Sequence, residues 1–145
     1  MFQNTMRHAV SGVALFLIVL SASAQADEAL TARNKAVVRD FYTNVFLARN
    51  VDAAPRYVAP GYLQHNPQVP TGLKGLMDTF REVFASYPPD FKREVLAIVA
   101  EDDKVVVYHR KSWTSPKDHQ HHVALGFDMF RVQNGMITEH WDADS

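Results

Sequence analysis

Apolar residues recur at helical spacing in two long segments of the chain. In residues 30–48 the stripe consists of Leu30, Val37, Phe41, Val45 and Ala48, flanked by Val38, Tyr42 and Phe46. In residues 73–87 it consists of Leu73, Leu76, Met77, Phe80, Val83, Phe84 and Tyr87, with two prolines after it. Steps of three and four residues place such side chains on one face of an α-helix. The pattern predicts two amphipathic helices, and Asp52, as a capping residue, predicts a short third one over 52–58.

The second half of the chain has the composition of β-strands, with turn-forming residues between them. Four segments are predicted as strands, at residues 93–100, 105–114, 120–132 and 136–142. The dipeptide Asn-Gly between the last two is a strong signal for a two-residue hairpin turn. Residues 62–67 are short, begin with an aromatic residue and end at a proline, which fits an edge strand.

The predicted order of elements is helix, helix, short strand, helix and a four-strand meander. Helices that are separate in sequence from an antiparallel sheet define the α+β class. We expect a conical barrel, in which a curved antiparallel sheet of four strands plus the short edge strand is covered by about three N-terminal helices. Such a cone encloses a cavity that is a natural site for a small molecule.

Residues 1–26 have the pattern of a secretory signal peptide. A short basic region precedes an apolar run at residues 9–20, and Ala-x-Ala triplets end at Ala24 and at Ala26. A membrane anchor is the alternative, but the run is shorter than the about 20 residues that a bilayer requires. We expect cleavage near Ala26, which leaves residues 27–145 as one periplasmic or secreted domain that is not attached to a membrane.

The composition is that of a packed globular domain and excludes several classes of function. The 145 residues are 47% hydrophobic and 11% aromatic, and 15 basic against 16 acidic residues give a net charge of -1. A nucleic-acid-binding protein normally carries a basic surplus, so none is expected as a partner. The lack of cysteine excludes disulfide scaffolds, thiolate metal sites and cysteine nucleophiles. No phosphate loop or nucleotide motif is present, and no cofactor is predicted.

One aspartate stands on a largely apolar strand face. Alternation in the third predicted strand puts on one side His122, Ala124, Gly126, Asp128, Phe130 and Val132. A two-residue hairpin loop would pair Phe130 with Glu139 and Asp128 with Trp141. Burial would raise the pKa of Asp128, and a carboxyl group so tuned can take a proton from carbon or return one. The alternative is a structural aspartate that bonds a nearby donor such as Arg131.

The other side of the same strand is also largely apolar. It carries His121, Val123, Leu125, Phe127, Met129 and Arg131. A sheet that is apolar on both faces buries both, one under the helices and the other against a second subunit. The sequence therefore predicts a homodimer.

Histidines occur at two further places. His65 and Asn66 end the short strand, where a histidine can polarise a carbonyl or share a proton with an acid. Alternatively, the two side chains cap their own turn. His119, His121 and His122 form a local cluster, in which His119 and His121 would share a strand face and could hold a metal between them. A polar, solvated strand start explains this cluster as well, and no metal site is predicted.

Two segments resemble a known family. Residues 127–142, Phe-Asp-Met-Phe-Arg-Val-Gln-Asn-Gly-Met-Ile-Thr-Glu-His-Trp-Asp, resemble the C-terminal hairpin of the SnoaL-like polyketide cyclase family. Residues 62–67, Tyr-Leu-Gln-His-Asn-Pro, resemble its other recurrent segment. The layout is similar to that of the wider nuclear-transport-factor-2-like superfamily (NTF2-like). The resemblance implies a conical α+β fold with a cavity, and this fold hosts both enzymes and binding proteins.

The resemblance also implies roles for individual residues. In the cyclase members, the aspartate at the position of Asp128 is the general acid/base of a cofactor-free intramolecular aldol condensation. By the same resemblance, His65, Asn66 and His122 would line the cavity and stabilise an enolate oxygen, with His65 as the second catalytic residue. The walls of the cavity are expected to include Tyr62, Phe130 and Trp141.

The sequence thus predicts an exported enzyme that performs cofactor-independent acid/base chemistry on a small hydrophobic carbonyl compound. The reaction would be of the aldol-condensation (cyclase) or isomerase type. The alternative is a non-catalytic periplasmic protein that binds an apolar ligand in the same cavity. A third interpretation is a metal-binding protein that uses the histidine cluster at 119–122.

Overall fold

A computed structural model describes the backbone of residues 9–144 and the side chains of residues 25–143. In chain order, the elements are α1 (Ala9–Phe41), a π-helical turn (Tyr42–Leu47), a 3₁₀-helix (Val51–Arg56), β1 (Val58–Gln64), α2 (Leu73–Ser86), β2 (Lys92–Glu101), β3 (Lys104–Thr114), β4 (His121–Gln133) and β5 (Met136–Asp144).

The five strands form one sheet in the order β1-β5-β4-β3-β2. Strands β2 to β5 form the expected antiparallel meander, and β1 is the expected short edge strand. Strand β1 runs parallel to β5, so the sheet is mixed, and it does not close into a barrel. The predicted α+β class with helices over one face of a curved sheet is confirmed.

The core lies between the helical segments and the inward face of the sheet. Helical residues contribute Val38, Phe41, Tyr42 and Val45, and the sheet contributes Val105, Val107, Phe130, Val132 and Ile137, all of them buried. The rings of Phe41 and Phe130 meet edge to face with centroids 5.8 Å apart. Each such side chain stabilises the fold by about 1.5–3 kcal/mol relative to an exposed one.

The first helix departs from regular α-geometry where it reaches the core. The helix predicted over 30–48 is α-helical only as far as Phe41. After it, the amide of Ala48 donates to the carbonyl of Thr43, and that of Asn50 to Val45. These are the five-residue steps of a π-helix, which fits one extra residue into the turn. Tyr42 begins this turn and is fully buried.

Two of the short predicted elements differ in type or position. The helix expected over 52–58 is the 3₁₀-helix at Val51–Arg56, with Pro55 inside it. The strand expected over 62–67 lies at Val58–Gln64, so it begins earlier than expected and includes Pro60 and Gly61. These two residues lie in an irregular stretch where the pairing with β5 shifts register between Val58 and Leu63.

The last hairpin has the predicted turn and an unpredicted bulge. Asn134 and Gly135 have positive φ angles of 53° and 76°, which a two-residue turn between twisted strands requires. Val132 pairs with Ile137 as expected, but the register then shifts around the extra residue Thr138. A bulge of this kind moves every later pair by one residue.

Helix α2 is confirmed almost to the residue and packs on the 3₁₀-helix and on the edge strand β1. Leu76 is its buried anchor, and Phe80 and Phe84 pack against the core beside it. Gly75 lets the helix start close to the preceding loop, because a Cβ there would lie 2.3 Å from the carbonyl oxygen of Pro70. A side chain at this position would force the helix and the loop apart.

The predicted signal peptide falls mostly outside the described residues. Residues 1–8 are not described, and neither are the side chains of residues 9–24, so cleavage near Ala26 stays a prediction. Within the described part of the chain, none of the helices has the combination of length and hydropathy that crossing a lipid bilayer requires.

The outer face of the sheet is apolar and exposed, as the sequence predicts. Its large exposed side chains are Leu96, Val99, Val123, Leu125 and Phe127, with exposures between 39% and 60%. The ring of Phe127 stacks on Tyr108 with centroids 4.7 Å apart. Several large exposed apolar side chains on one sheet face are typical of a subunit interface.

We expect the protein to sediment as a homodimer at micromolar concentration, and the Phe127→Lys variant to sediment as a monomer. The introduced charge would have to be desolvated at the centre of the patch. Sedimentation equilibrium measures both masses. Leu47→Lys, a matched change at an exposed leucine outside the sheet, is the control and should leave the dimer intact. A wild-type protein of monomer mass would contradict the prediction.

Candidate functional site

A cavity of about 510 Å³ lies between α2 and the inward face of the sheet. Aromatic and apolar side chains form most of its wall, including Phe46, Val69, Phe80, Tyr87, Phe91 and Trp113. Polar residues are concentrated on the strands and on the loop after β1, and they include Asn66, His109, Asp128, His140 and Asp142. The cavity therefore suits a largely apolar ligand that meets polar groups at the sheet.

Asp128 is a buried carboxyl group at the inner end of this cavity. It accepts a hydrogen bond from the Tyr42 hydroxyl at Oδ2, and Nε2 of His140 lies 3.0 Å from Oδ1. Nε2 of His109 lies 3.2 Å from Oδ2. Three separate elements, the π-helical turn, β3 and β5, thus supply groups to one carboxylate. Burial opposes ionisation of the Asp128 carboxyl group, whereas the groups that bond to it favour ionisation. The raised pKa of Asp128 therefore stays a prediction.

The hydrogen bonds of His140 fix where its protons lie. The backbone N–H of Asn66 donates to Gln64 Oε1 at 2.9 Å, which identifies that atom as an acceptor. Nδ1 of His140 lies 3.0 Å from the same oxygen and must carry a proton to bond to it. Nε2 therefore bonds to Asp128 only if one further proton lies between them. Asp128 and His140 share that proton, either as an ion pair or as a neutral acid and imidazole.

Tyr62 holds the amide of Gln64 in place from the other side. Its hydroxyl accepts a hydrogen bond from Gln64 Nε2 at 2.9 Å, and its ring stacks toward His140. Burial, followed by the negative charge of Asp142, raises the pKa of Tyr62, so the hydroxyl stays protonated. Tyr62 is thus a buried support of the site, although the sequence placed it on the cavity wall.

The structural alternative for Asp128, a bond with Arg131, does not occur. Arg131 lies on the other face of β4, where it donates to Glu139 and has its Nε 3.2 Å from Asp103 Oδ2. The separation of the two faces follows from the strand alternation that the sequence predicts. The groups that bond to Asp128 therefore all come from the side of the sheet that faces the cavity.

Asn66 is in the cavity wall, as expected, and bonds to a second acid. Its Nδ2 donates to Asp142 Oδ2 at 2.8 Å. Asp128, His140 and Asp142 each place one potential ligand atom within 4.8 Å of the others, which is close enough to share a cation. Nε2 of His140 already bonds to Asp128, and the expectation of a site without metal stays a prediction.

The structure places His65 and Trp141 outside the cavity, which corrects the expectation that they line it. Their rings stack 4.8 Å apart, and His65 Nε2 bonds to Glu139 Oε1 at 2.7 Å. The bulge at Thr138 causes the difference: Phe130 pairs with His140 and Asp128 with Asp142, not with Glu139 and Trp141. His140 therefore occupies the inward position next to Asp128.

Two other residues that were predicted to line the cavity, His122 and Phe130, are next to its wall and not in it. His122 stacks on Trp113, a cavity residue, and its Nε2 lies 3.3 Å from the carboxylate of Asp118. Phe130 is buried beneath the cavity, where its ring packs against His140 at 4.7 Å. Neither is placed to bond to the carboxyl group of Asp128.

The histidine cluster at 119–122 is not arranged on one strand face. His119 lies in the turn before β4 with a φ of 59°, so it does not share the alternation of His121. Within the described residues, only the group around Asp128 brings three potential ligand atoms together.

Three residues that contact Asp128 were not predicted to do so. His109 could have been found, because Val105, Val107 and His109 alternate along an evident strand. Tyr42 was assigned only to the flank of a helix, since the π-helical turn leaves no pattern in the sequence. His140 was not predicted beside Asp128, because the bulge at Thr138 brings it and not Trp141 to the inward face.

We expect Tyr42→Phe to lower the free energy of unfolding by about 1–3 kcal/mol, because it removes a donor to a buried carboxylate. Urea denaturation followed by circular dichroism measures the change. Tyr57→Phe is the control, since its hydroxyl bonds to Asn44 at an exposed position, and we expect less than about 0.5 kcal/mol there. Equal losses in the two variants would show that the bond to Asp128 does not stabilise the fold.

Solved structures with the same fold come from several bacteria. The TM-score is 0.65 to TsrD from Streptomyces laurentii, at 21% identity over 79% of this chain and 89% of that one. It is 0.69 to a SnoaL-like protein from Jannaschia sp. CCS1, at 18% identity over 80% and 88%. It is 0.63 to a SnoaL-like polyketide cyclase from Agrobacterium tumefaciens, at 14% identity over 75% and 88%. Identities this low show the shared fold alone.

The sequence itself identifies the family. No curated protein matches the chain. The model of the SnoaL-like domain matches residues 38–140, which include the π-helical turn, the whole sheet up to His140, and Asp128. The chain therefore belongs to the SnoaL-like family, within the NTF2-like superfamily.

Proposed function

We propose that the protein is an enzyme that uses Asp128 and His140 for cofactor-independent acid/base chemistry on a hydrophobic carbonyl compound. The observation that carries the proposal is the 3.0 Å contact between Nε2 of His140 and Oδ1 of Asp128 in the wall of a largely apolar cavity. A buried carboxyl group that is hydrogen-bonded to an imidazole is a typical general acid/base arrangement. Membership of the SnoaL-like family supports a reaction of the cyclase type.

The chemistry begins with Asp128 ionised and His140 protonated. The carboxylate takes a proton from the carbon next to the substrate carbonyl, and the electron pair of that C–H bond forms an enolate. The negative charge moves from Asp128 to the substrate oxygen, while His140 keeps its positive charge. The net charge of the cavity stays the same, which lowers the electrostatic cost of the enolate in a water-poor site.

The proton on Asp128 can then return in two ways. In an aldol addition, the bond-forming step of an aldol condensation, the enolate carbon attacks a second carbonyl, and the resulting alkoxide takes the proton from Asp128 to give a hydroxyl group. In an isomerisation the proton returns to a different carbon. Both restore the ionised carboxylate, so neither requires a cofactor. The aromatic wall formed by residues such as Phe46 and Phe80 supports a hydrophobic substrate.

We expect the protein to catalyse exchange of the α-protons of 1-tetralone, a bicyclic ketone, in D₂O containing EDTA. Proton NMR follows the loss of the α-proton signal. Asp128→Asn should keep its circular dichroism spectrum and reduce exchange to the uncatalysed rate, because an amide cannot take the proton. Retained exchange in that variant would contradict the proposal.

Asp142→Asn is the matched control for this experiment. It makes the same chemical change in the same cavity wall, at an acid that bonds to Asn66 and is not bonded to His140. Most of the exchange activity should remain. If wild-type protein binds ketones but exchanges no protons, the non-catalytic binding function replaces the enzyme.

Export also belongs to the proposed function. We expect expression of the full chain in a Gram-negative host to deliver a periplasmic protein whose first residue is Asp27. Osmotic-shock fractionation and mass spectrometry of the intact protein measure location and cleavage. Arg7→Glu, which removes the basic charge before the apolar run, should reduce the exported fraction. A full-length protein that stays in the cytoplasm would contradict the prediction.

A further inference from the structure

The segment that joins α2 to β2 forms one rim of the cavity. We call residues 87–91, Tyr-Pro-Pro-Asp-Phe, the rim segment. Tyr87, Pro88 and Phe91 line the cavity, whereas the two residues between Pro88 and Phe91 are exposed. One side of the segment therefore faces the interior and the other faces solvent, as expected for a chain that bounds the opening of a cavity. The proposed acid/base chemistry gives this segment no role.

The rim segment has a defined shape and is attached to the sheet. The N–H of Phe91 donates to the carbonyl of Pro88 at 3.0 Å. The rings of Tyr87 and Phe91 stack with centroids 3.7 Å apart and an angle of 10° between their planes. Thr114, at the end of β3, donates its N–H to Asp90 Oδ2 at 2.9 Å. The sheet therefore fixes one side of the rim segment.

Arg49 fixes the same segment from the side of the first helix. Its Nη2 donates to the carbonyl oxygen of Phe91 at 2.7 Å. Its guanidinium carbon lies 5.4 Å from the centre of the Tyr87 ring and 5.7 Å from the centre of the Phe91 ring. A guanidinium group at such distances is attracted to the faces of aromatic rings. A single side chain thus contacts both the backbone and the stacked rings of the rim segment.

The backbone of Arg49 has an uncommon conformation. Its φ angle is 52°, in the left-handed region that side chains of this size rarely adopt. The residues on either side of it, Ala48 and Asn50, donate their N–H groups back to the π-helical turn. Such conformations persist where surrounding contacts fix them, and they are concentrated at functional positions. The same turn contains Tyr42, which donates to Asp128, so Arg49 connects the rim segment with the turn that reaches the carboxyl group.

The aromatic rings at this end of the cavity favour a flat ligand. Trp113 continues the ring pair, with its centroid 6.4 Å from that of Phe91 and an angle of 31° between the planes. Aromatic rings pack best on flat rings in offset-stacked arrangements. A ligand with methyl groups above and below its plane would have to displace the rim segment. Such a displacement would break the contacts that Arg49 makes with it.

We propose that Arg49 is a positioning residue that keeps the rim segment closed and thereby makes the cavity selective for flat ring ketones. The guanidinium group holds the stacked rings of the rim segment and does not touch the reacting atoms. That the ligand is a ketone rests on the proposed function. The selection by thickness rests on the contacts between Arg49 and the rim segment.

Isothermal titration calorimetry with 1-tetralone and 4,4-dimethyl-1-tetralone tests the selectivity, because the two ketones share the carbonyl end and differ in thickness. Hydrophobicity alone would favour the dimethyl compound. We expect wild-type protein to bind 1-tetralone about 10-fold more tightly, and Arg49→Met to reduce this preference to roughly twofold, because the hydrogen bond and the charge over the rings are lost. Arg49→Lys keeps the charge and should retain part of the preference. Arg39→Met removes an exposed arginine of α1 that bonds to Asp40, and it should retain the whole preference.

Amide hydrogen exchange, followed by NMR, measures the closure of the rim segment without a ligand. The amides of Phe91 and Thr114 report on it, since both bond to acceptors in the segment. We expect them to exchange roughly 10-fold faster in Arg49→Met than in wild-type protein, because local opening becomes easier. The amide of Val107, in the buried core, should exchange at the same rate in both proteins.

The outcomes separate this inference from the proposed function. A preference for 1-tetralone that survives in Arg49→Met would overturn the proposal, and so would wild-type protein that binds the two ketones equally or binds neither. Unchanged exchange at Phe91, or equal acceleration at Val107, would overturn it as well. Asp128→Asn should retain the preference for the flat ketone although it has lost proton exchange. If wild-type protein prefers 1-tetralone but exchanges none of its protons, the role of Arg49 remains and the enzyme does not.

Discussion

The buried carboxyl group of Asp128 is the constraint on which the arrangement of this molecule depends. A carboxylate removed from water destabilises the fold unless several donors meet it, and each donor here comes from a different part of the chain. Tyr42 comes from the end of the first helix, His109 from β3 and His140 from β5. The helix, the sheet and the last hairpin must therefore be in register with one another for the site to exist. The contacts that fix the first helix and the last hairpin against the sheet are therefore the same contacts that surround Asp128.

A second buried acid, on β5, is stabilised in a different way. Glu139 is 8% exposed and faces away from the cavity, where Arg131 and His65 bond to it. Consecutive residues of one strand thus belong to two separate networks, one around Glu139 on the outer side and one around Asp128 on the inner side. The segment Glu-His-Trp-Asp fits either pairing register, because Glu139 and Trp141 lie on one face and His140 and Asp142 on the other. Each face thus combines an acid with an aromatic ring.

The order and class of the elements could be predicted from the sequence, because they depend on local periodicity. Helix α2, the four strands of the meander and the Asn134-Gly135 turn follow directly from spacing and from backbone preferences. The inward position of Asp128 also follows, since alternation within one strand is robust. The partners of Asp128 could not be predicted fully. A bulge at Thr138 and a π-helical turn at Tyr42 each insert one residue, and neither insertion requires a distinctive residue type.

The π-helical turn has a consequence for how this site could change between related sequences. Each residue of an α-helix turns the chain by about 100°. Loss of a single residue within Tyr42–Leu47 would allow a regular α-helix there, with the following residues rotated by that angle relative to α1. The hydrophobic stripe could still find the sheet, but a different side chain would face Asp128. One codon deletion could thus remove the Tyr42 hydroxyl from Asp128 without altering the fold, and length variation at this turn would change which side chain faces the carboxyl group.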